Sequence, residues 1–232
     1  MTSNNTIGGI YTDPFHSPTT ASANIYGVDA PWFGGIRICA KTTPDEFLCI
    51  GCDDGLAFWV LKGTFTDDDG AMIEMDFSPK APGVGLLKCS YSATAGTIDF
   101  LDSDGSVGNT WSRLKPTADF GLKMQTKHIA FNDVNGLYMD PSICKPGSFA
   151  GIRVVSDRLG KIMRDEICLI GTDDGIDWWA MEGGAFTDKA TGAFSVGSLS
   201  CICHNGIIKF GDGNRWVKMA VKTDFHSLPK EI

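Results

Sequence analysis

The chain has 232 residues, 43% of them hydrophobic and 21% charged, a globular composition that excludes a disordered, charge-rich protein. Its formal net charge of -8, with no cluster of Lys and Arg, argues against a nucleic-acid partner, whose phosphate backbone needs one. No stretch approaches the roughly 18 to 20 apolar residues of a membrane span, and the polar start MTSNNT reads as neither a signal nor a transit peptide, so no membrane partner is expected.

The 28 glycines sit in short clusters with Asp and Asn between apolar runs, which is how a chain with many hairpin turns reads. In chain order the first signal is Gly9-Ile10-Tyr11-Thr12-Asp13-Pro14, followed by a stretch from His16 to Pro31 rich in Ser, Thr and Ala. The run FGGIRICAK then predicts a strand. FLCIGCDDGLAFWVLKG is two apolar runs flanking Asp53, Asp54 and Gly55, and Asp-Gly predicts a hairpin with Gly55 at positive φ in a type I′ turn. AMIEMDF, VGLLKCSY and TIDFL follow as further strands, and a Gly108-Asn109 turn precedes Trp111.

The same series then returns. Gly136 to Pro141 repeats Gly9 to Pro14, Gly151-Ile152-Arg153 repeats Gly35-Ile36-Arg37, and ICLIGTDDGIDWWAMEG repeats the first hairpin with Asp173, Asp174 and Gly175 in its turn. Phe186-Thr187-Asp188 matches Phe65-Thr66-Asp67, and Gly206 to Phe210 matches Gly96 to Phe100. Gly213-Asn214 and Trp216 match the Gly-Asn turn and Trp111. Collinear self-similarity of this extent predicts a tandem duplication. Residues 1–127 form the first β-rich repeat with its N-terminal arm and insertions; residues 128–232 form the second with its C-terminal tail.

About six or seven strands are expected per repeat, and only Asp157 to Glu166 hints at a helical turn. The expected fold is all-β, with two homologous β-sandwich or barrel-like lobes packed with pseudo-two-fold symmetry. The joining segment has no Gly/Ser/Pro linker, so the lobes should pack together.

Chemistry-bearing patterns are sparse. No G-x-S-x-G, P-loop, HExxH or dinucleotide fingerprint occurs, none of the four histidines recurs between repeats, and the chain is not expected to be an enzyme. The eight cysteines lie mostly in apolar runs and read as packed, reduced thiols. Cys49-x-x-Cys52 falls on opposite faces of a strand by period-two alternation, which does not suit zinc, and no metal or cofactor is expected. The two DDG turns are read as structural, with Asp53 and Asp173 replaceable by Asn. Trp59, Trp111, Trp179 and Trp216 recur between repeats; Trp59 and Trp179 should pack inside, whereas an exposed Trp would be a sugar platform or an interface anchor.

DDG followed by a Trp-bearing strand, the segment Phe77-Ser78-Pro79-Lys80, and the Gly-Asp-Gly-Asn-x-Trp ending at Gly211 to Trp216, duplicated over about residues 9–225, resemble the pyrenoid shell proteins of diatoms and related algae. That resemblance implies a β-rich protomer tiling into a sheet around the Rubisco-filled pyrenoid. It also implies location in the chloroplast stroma, at the pyrenoid periphery, and a role in concentrating carbon dioxide for fixation. The expected partners are further copies of the chain in an extended lattice, with Rubisco or its matrix as a further contact. Free strand edges and the arms Met1 to Ile7 and His226 to Ile232 could reach neighbours, and Trp32, Phe33, Phe225 and Leu228 are candidate interface residues. Two alternatives stand beside this reading. One is a carbohydrate-binding β-sandwich resting on Trp111 and Trp216; the other is a carboxylate site assembled from Asp53, Asp54, Asp173 and Asp174.

Overall fold

The computed structural model describes residues 6–16, 33–55, 57–118, 120, 134–159, 162–219 and 228–231. These residues form sixteen strands and one short 3-10 helix, Pro14–His16. The first eight strands are β1 Gly9–Thr12, β2 Ile36–Lys41, β3 Glu46–Cys52, β4 Phe58–Phe65, β5 Met72–Asp76, β6 Leu86–Ser92, β7 Thr97–Leu101 and β8 Val107–Arg113. Each is antiparallel to the next, and β8 returns to β1 through Tyr11 opposite Arg113 and Thr12 opposite Ser112, closing an eight-stranded barrel.

The second series is β9 Gly136–Met139, β10 Ile152–Leu159, β11 Ile162–Thr172, β12 Trp178–Asp188, β13 Ala193–Val196, β14 Leu199–His204, β15 Ile207–Phe210 and β16 Arg215–Lys218. These strands also pair in sequence, and β16 returns to β9 through Val217 opposite Met139. A single parallel bridge, Leu159 to Val60, joins β10 to β4.

Alternation along the strands divides the apolar residues into layers. Tyr11, Cys39, Cys49, Trp59, Ile73, Cys89, Ile98 and Trp111, one from each of the eight strands, fill the barrel interior. An eight-stranded barrel is just wide enough for side chains to fill. Tyr138, Val155, Leu169, Phe194, Cys203, Ile208 and Trp216 form the corresponding cluster of the second series. The opposite faces of β2, β3 and β4 and of β9, β10 and β11 meet in a third cluster that includes Ile36, Ile38, Ile50, Val60, Leu137, Ile152, Val154 and Ile170. Both faces of these strands are therefore buried, which is why IRICA and IRVV read as continuous apolar runs around one arginine. Cys49 points into the barrel and Cys52 into the shared layer, the opposite faces that alternation requires.

Several expectations are corrected. Each repeat contributes eight strands, and the short Gly-led strands β1 and β9, easily read as turns, complete the rings. Among the described residues of 157–166 there is no helical turn: Leu159 of β10 pairs with Ile162 of β11. Gly108-Asn109 lies within β8, with Asn109 opposite Phe100, while Gly213-Asn214 precedes β16 as a turn. The DDG turns are five-residue loops spanning 53–57 and 173–177, closed by Cys52 opposite Phe58 and Thr172 opposite Trp178. Each strand is paired on both sides, so edge pairing between protomers has no template among the described residues.

The tails are also partly intramolecular. Ile7 is buried in the barrel, and residues 228–231 run beside β8, where Leu114 bridges Lys230 and Arg113 pairs with Glu231 at 3.3 Å. The second repeat thus ends against the first. Phe33 and Leu228, expected as interface residues, are buried in the shared layer at 4% and 6% exposure. Trp32 and Phe225 lie outside the described residues.

Candidate functional site

The residues that recur between repeats converge on one constellation at an end of each strand ring. In the barrel, Arg37 projects inward from β2 because Ile36 and Ile38 take the shared layer. It is fully buried. Its guanidinium is 2.7 Å from both Asp13 and Asp53 and donates to the carbonyls of Ile36 at 3.0 Å and Cys52 at 2.8 Å. The same group lies over the Trp59 and Trp111 rings, at 4.8 and 5.2 Å from their centroids. A buried cation is tolerated when carboxylates and carbonyls replace its water and aromatic faces add cation–π attraction.

Asp13 follows β1, where Pro14 ends the strand, and Asn109 Nδ2 donates to it at 3.2 Å. Burial raises its carboxyl, but His16, Arg37, Asn109 and the Phe15 amide outweigh that and hold it well below the usual carboxylate range. Asp53 is also depressed, burial being outweighed by Arg37 and Lys80. Lys80 Nζ is 2.8 Å from Asp53 and 4.3 Å from the Trp59 centroid. Burial and Arg37 push its ammonium down, against the pull of Asp53.

The second ring repeats most of this. Arg153 pairs with Asp173, reaches Asp140 at 3.9 Å, and lies 5.0 and 5.3 Å from the Trp179 and Trp216 centroids. Asn214 donates to Asp140 at 3.0 Å, as Asn109 does to Asp13. Burial raises the Asp140 carboxyl, but Asn214, Ser142 and Arg153 bring it below its ordinary value. Tyr11 and Tyr138 donate to the carbonyls of Ile7 at 2.9 Å and Val134 at 2.8 Å.

The DDG turns feed these clusters. Their first Asp holds the arginine. Their second caps its own loop: Asp54 accepts from the Ala57 amide, and Asp174 accepts from those of Ile176 and Asp177, all at 2.8 Å. Gly55 and Gly175 occupy positive φ, at 81° and 85°. Of the four aspartates proposed as a carboxylate site, Asp53 and Asp173 are thus paired with Arg37 and Arg153, and Asp54 and Asp174 are engaged within their own turns, so Asp53 is no bland turn residue. Trp59, Trp111 and Trp216 are buried and Trp179 is half-buried, so the two side chains of the carbohydrate platform, Trp111 and Trp216, do not offer a face to solvent.

Sequence reasoning had marked the aspartates, the arginines and the tryptophans as recurrent without joining them. The available signal was a charged residue recurring inside an apolar strand, at Arg37 and Arg153. Also unmarked were Gly51 and Gly171. A Cβ on Gly51 would overlap the Trp59 ring and fall 2.8 Å from Arg37 Cδ; on Gly171 it would fall 2.6 Å from both the Trp179 ring and Arg153 Cδ. These glycines make room for the arginine–tryptophan stack.

Comparison with protein-family models, curated proteins and solved structures found no match. Among the described residues no group of three His, Cys, Asp or Glu is placed to hold a metal ion, and no helix is long and apolar enough to cross a membrane. The arrangement binds charge to charge inside each ring.

Proposed function

We propose that the chain is a self-assembling structural protein that tiles into a sheet or shell around the Rubisco-containing pyrenoid, in the chloroplast stroma, and so supports carbon dioxide concentration and fixation. It is not an enzyme in this reading. Its protomer is two homologous barrel-like lobes related by a pseudo-two-fold axis.

The observation that carries the proposal is the use of the recurrent residues. Asp13, Arg37, Asp53, Trp59, Asn109 and Trp111, with their counterparts Asp140, Arg153, Asp173, Trp179, Asn214 and Trp216, are engaged in building the lobes. What the duplication then preserves is shape. Strand β4 lies along β10 and β12 lies against β2, the exchange expected of a two-fold relation between lobes. Two similar but unequal lobes facing opposite ways offer near-equivalent outer surfaces, and contacts that do not close into a ring propagate.

With strand edges consumed, lattice contacts fall to loops and outer faces. Among the described residues, the large apolar side chains exposed there are Phe15, Val84, Leu86 and Val107 on the first lobe and Ile176 and Ile202 on the second. Rubisco or its matrix would be met by one face of such a sheet.

Imaging a fluorescently tagged copy of the chain in a pyrenoid-bearing diatom tests the proposal. A closed shell of signal at the pyrenoid surface is expected. Signal spread through the stroma, or outside the chloroplast, would contradict it.

A further inference from the structure

The two strand rings differ at the ends that hold their arginines. In the first, the connection between β5 and β6, residues 77–85, covers that end. Phe77 packs on Phe100 and Trp111, with centroids 5.8 and 6.4 Å apart, and Lys80 completes the Asp53 pair with its side chain 12% exposed. In the second, the equivalent connection between β13 and β14 is only Gly197-Ser198.

The consequences are visible in exposure. The Asp173 side chain is 70% exposed against 26% for Asp53, and it engages Arg153 through Oδ1. Trp179 and Phe210 are half-buried, whereas Trp59 and Phe100 are 4% and 9% exposed. Each of these ends carries a cavity, of about 300 Å³ in the first ring, where Phe77 and Lys80 form part of the lining, and of about 500 Å³ in the second, lined by Pro141, Ser142, Gly213, Asn214 and Arg215.

We propose that this open end is a docking site for a turn of a partner protein in which an aromatic side chain is followed three residues later by lysine, as in the first ring, where the Lys80 and Ala81 amides donate to the Phe77 carbonyl at 3.0 and 2.8 Å. The first ring supplies the template, because Phe77-Ser78-Pro79-Lys80 occupies the matching place within the chain itself. An ammonium seated as Lys80 is seated would meet the Asp173 carboxylate and the Trp179 face, and the aromatic residue would cover Phe210 and Trp216. The proposal goes beyond the shell reading and does not depend on it.

The probe is a labelled peptide with the sequence of residues 77–85, FSPKAPGVG, titrated against the whole chain by fluorescence anisotropy. Saturable binding is expected. Asp173→Asn, or Met in place of the peptide lysine, should weaken it about tenfold or more, the loss typical of a charged hydrogen bond. Because Asp173 also holds Arg153, a second variant replaces Gly197-Ser198 with the sequence of residues 77–85. It keeps every ion pair and should bind no peptide. Absence of binding to the parent chain at millimolar peptide, binding indifferent to Asp173→Asn, or unchanged binding to the grafted variant would overturn the proposal. So would self-association that is lost in Asp173→Asn and not competed by peptide, which would assign the site to a second copy.

Discussion

Replacing Arg37 by Met removes the charge while keeping an unbranched, apolar side chain under Trp59 and Trp111. It leaves Asp13, 3% exposed, facing the barrel interior with His16, Asn109 and the Phe15 amide but without its guanidinium partner. It also removes the donor to the carbonyls of Ile36 and Cys52. Breaking a buried pair from one side costs about 3–5 kcal/mol, because the remaining charge is uncompensated. For a chain of this length, at about 2–4 °C per kcal/mol, melting should fall by about 6–20 °C. Arg153→Met should cost less: Asp140 lies 3.9 Å from its guanidinium and keeps Asn214 and Ser142, and Asp173 is already solvated. Adding Asp13→Asn to Arg37→Met should recover part of the loss, since the orphaned charge goes with it. Thermal melts followed by circular dichroism provide the assay. A shift below 2 °C for Arg37→Met, or a larger one for Arg153→Met, would refute the reasoning.

Gly51→Ala and Gly171→Ala should each lower melting and shift Trp fluorescence, because the new methyl overlaps the Trp59 or Trp179 ring; wild-type spectra and melting would show that the stacks are looser than described. Gly55→Val and Gly175→Val place a β-branched residue at positive φ and should each cost roughly 1–2 kcal/mol or more in a urea titration. Asp13 and Asp53 have folded-state pKa values below the unfolded value of about 3.9, so the stability they contribute is complete above that value and is lost as pH falls through their folded-state values. Melting temperature should therefore drop steeply below about pH 4, and less steeply in the Arg37→Met/Asp13→Asn double variant. Burial pushes the Cys89 and Cys201 thiols up to about 12, so a thiol reagent at pH 8 should label the half-buried Cys144 ahead of the other cysteines, which react only on unfolding.

How much of this was legible in the sequence varies by element. The hairpins around Gly55 and Gly175 were, because turn chemistry is local, although Asp54 and Asp174 lengthen each turn to five residues by accepting amide protons. Ring closure was not. It rests on β1 and β9, four residues each, whose role depends on partners about a hundred residues away at Arg113 and some eighty away at Val217. The arginine clusters were half legible. Recurrence marked the aspartates, arginines, asparagines and tryptophans, yet nothing in a one-dimensional pattern says that Asp13, Arg37 and Asp53 meet, since three loops must fold before they do. Lys80 belonged to a motif with no second copy and was marked by resemblance alone; its role appeared only when Asp53 proved to have two cations. Two of the candidate interface residues, Phe33 and Leu228, are apolar side chains outside the recurrent runs, and the shared layer between rings buries them.

Self-assembly is the claim on which the functional account turns, and electron microscopy of the purified chain, over a range of concentration and salt, tests it most directly. Sheets or tubes with a regular repeat matching one protomer are predicted. Isolated particles of about 25 kDa under every condition, from a protein that melts cooperatively, would contradict it.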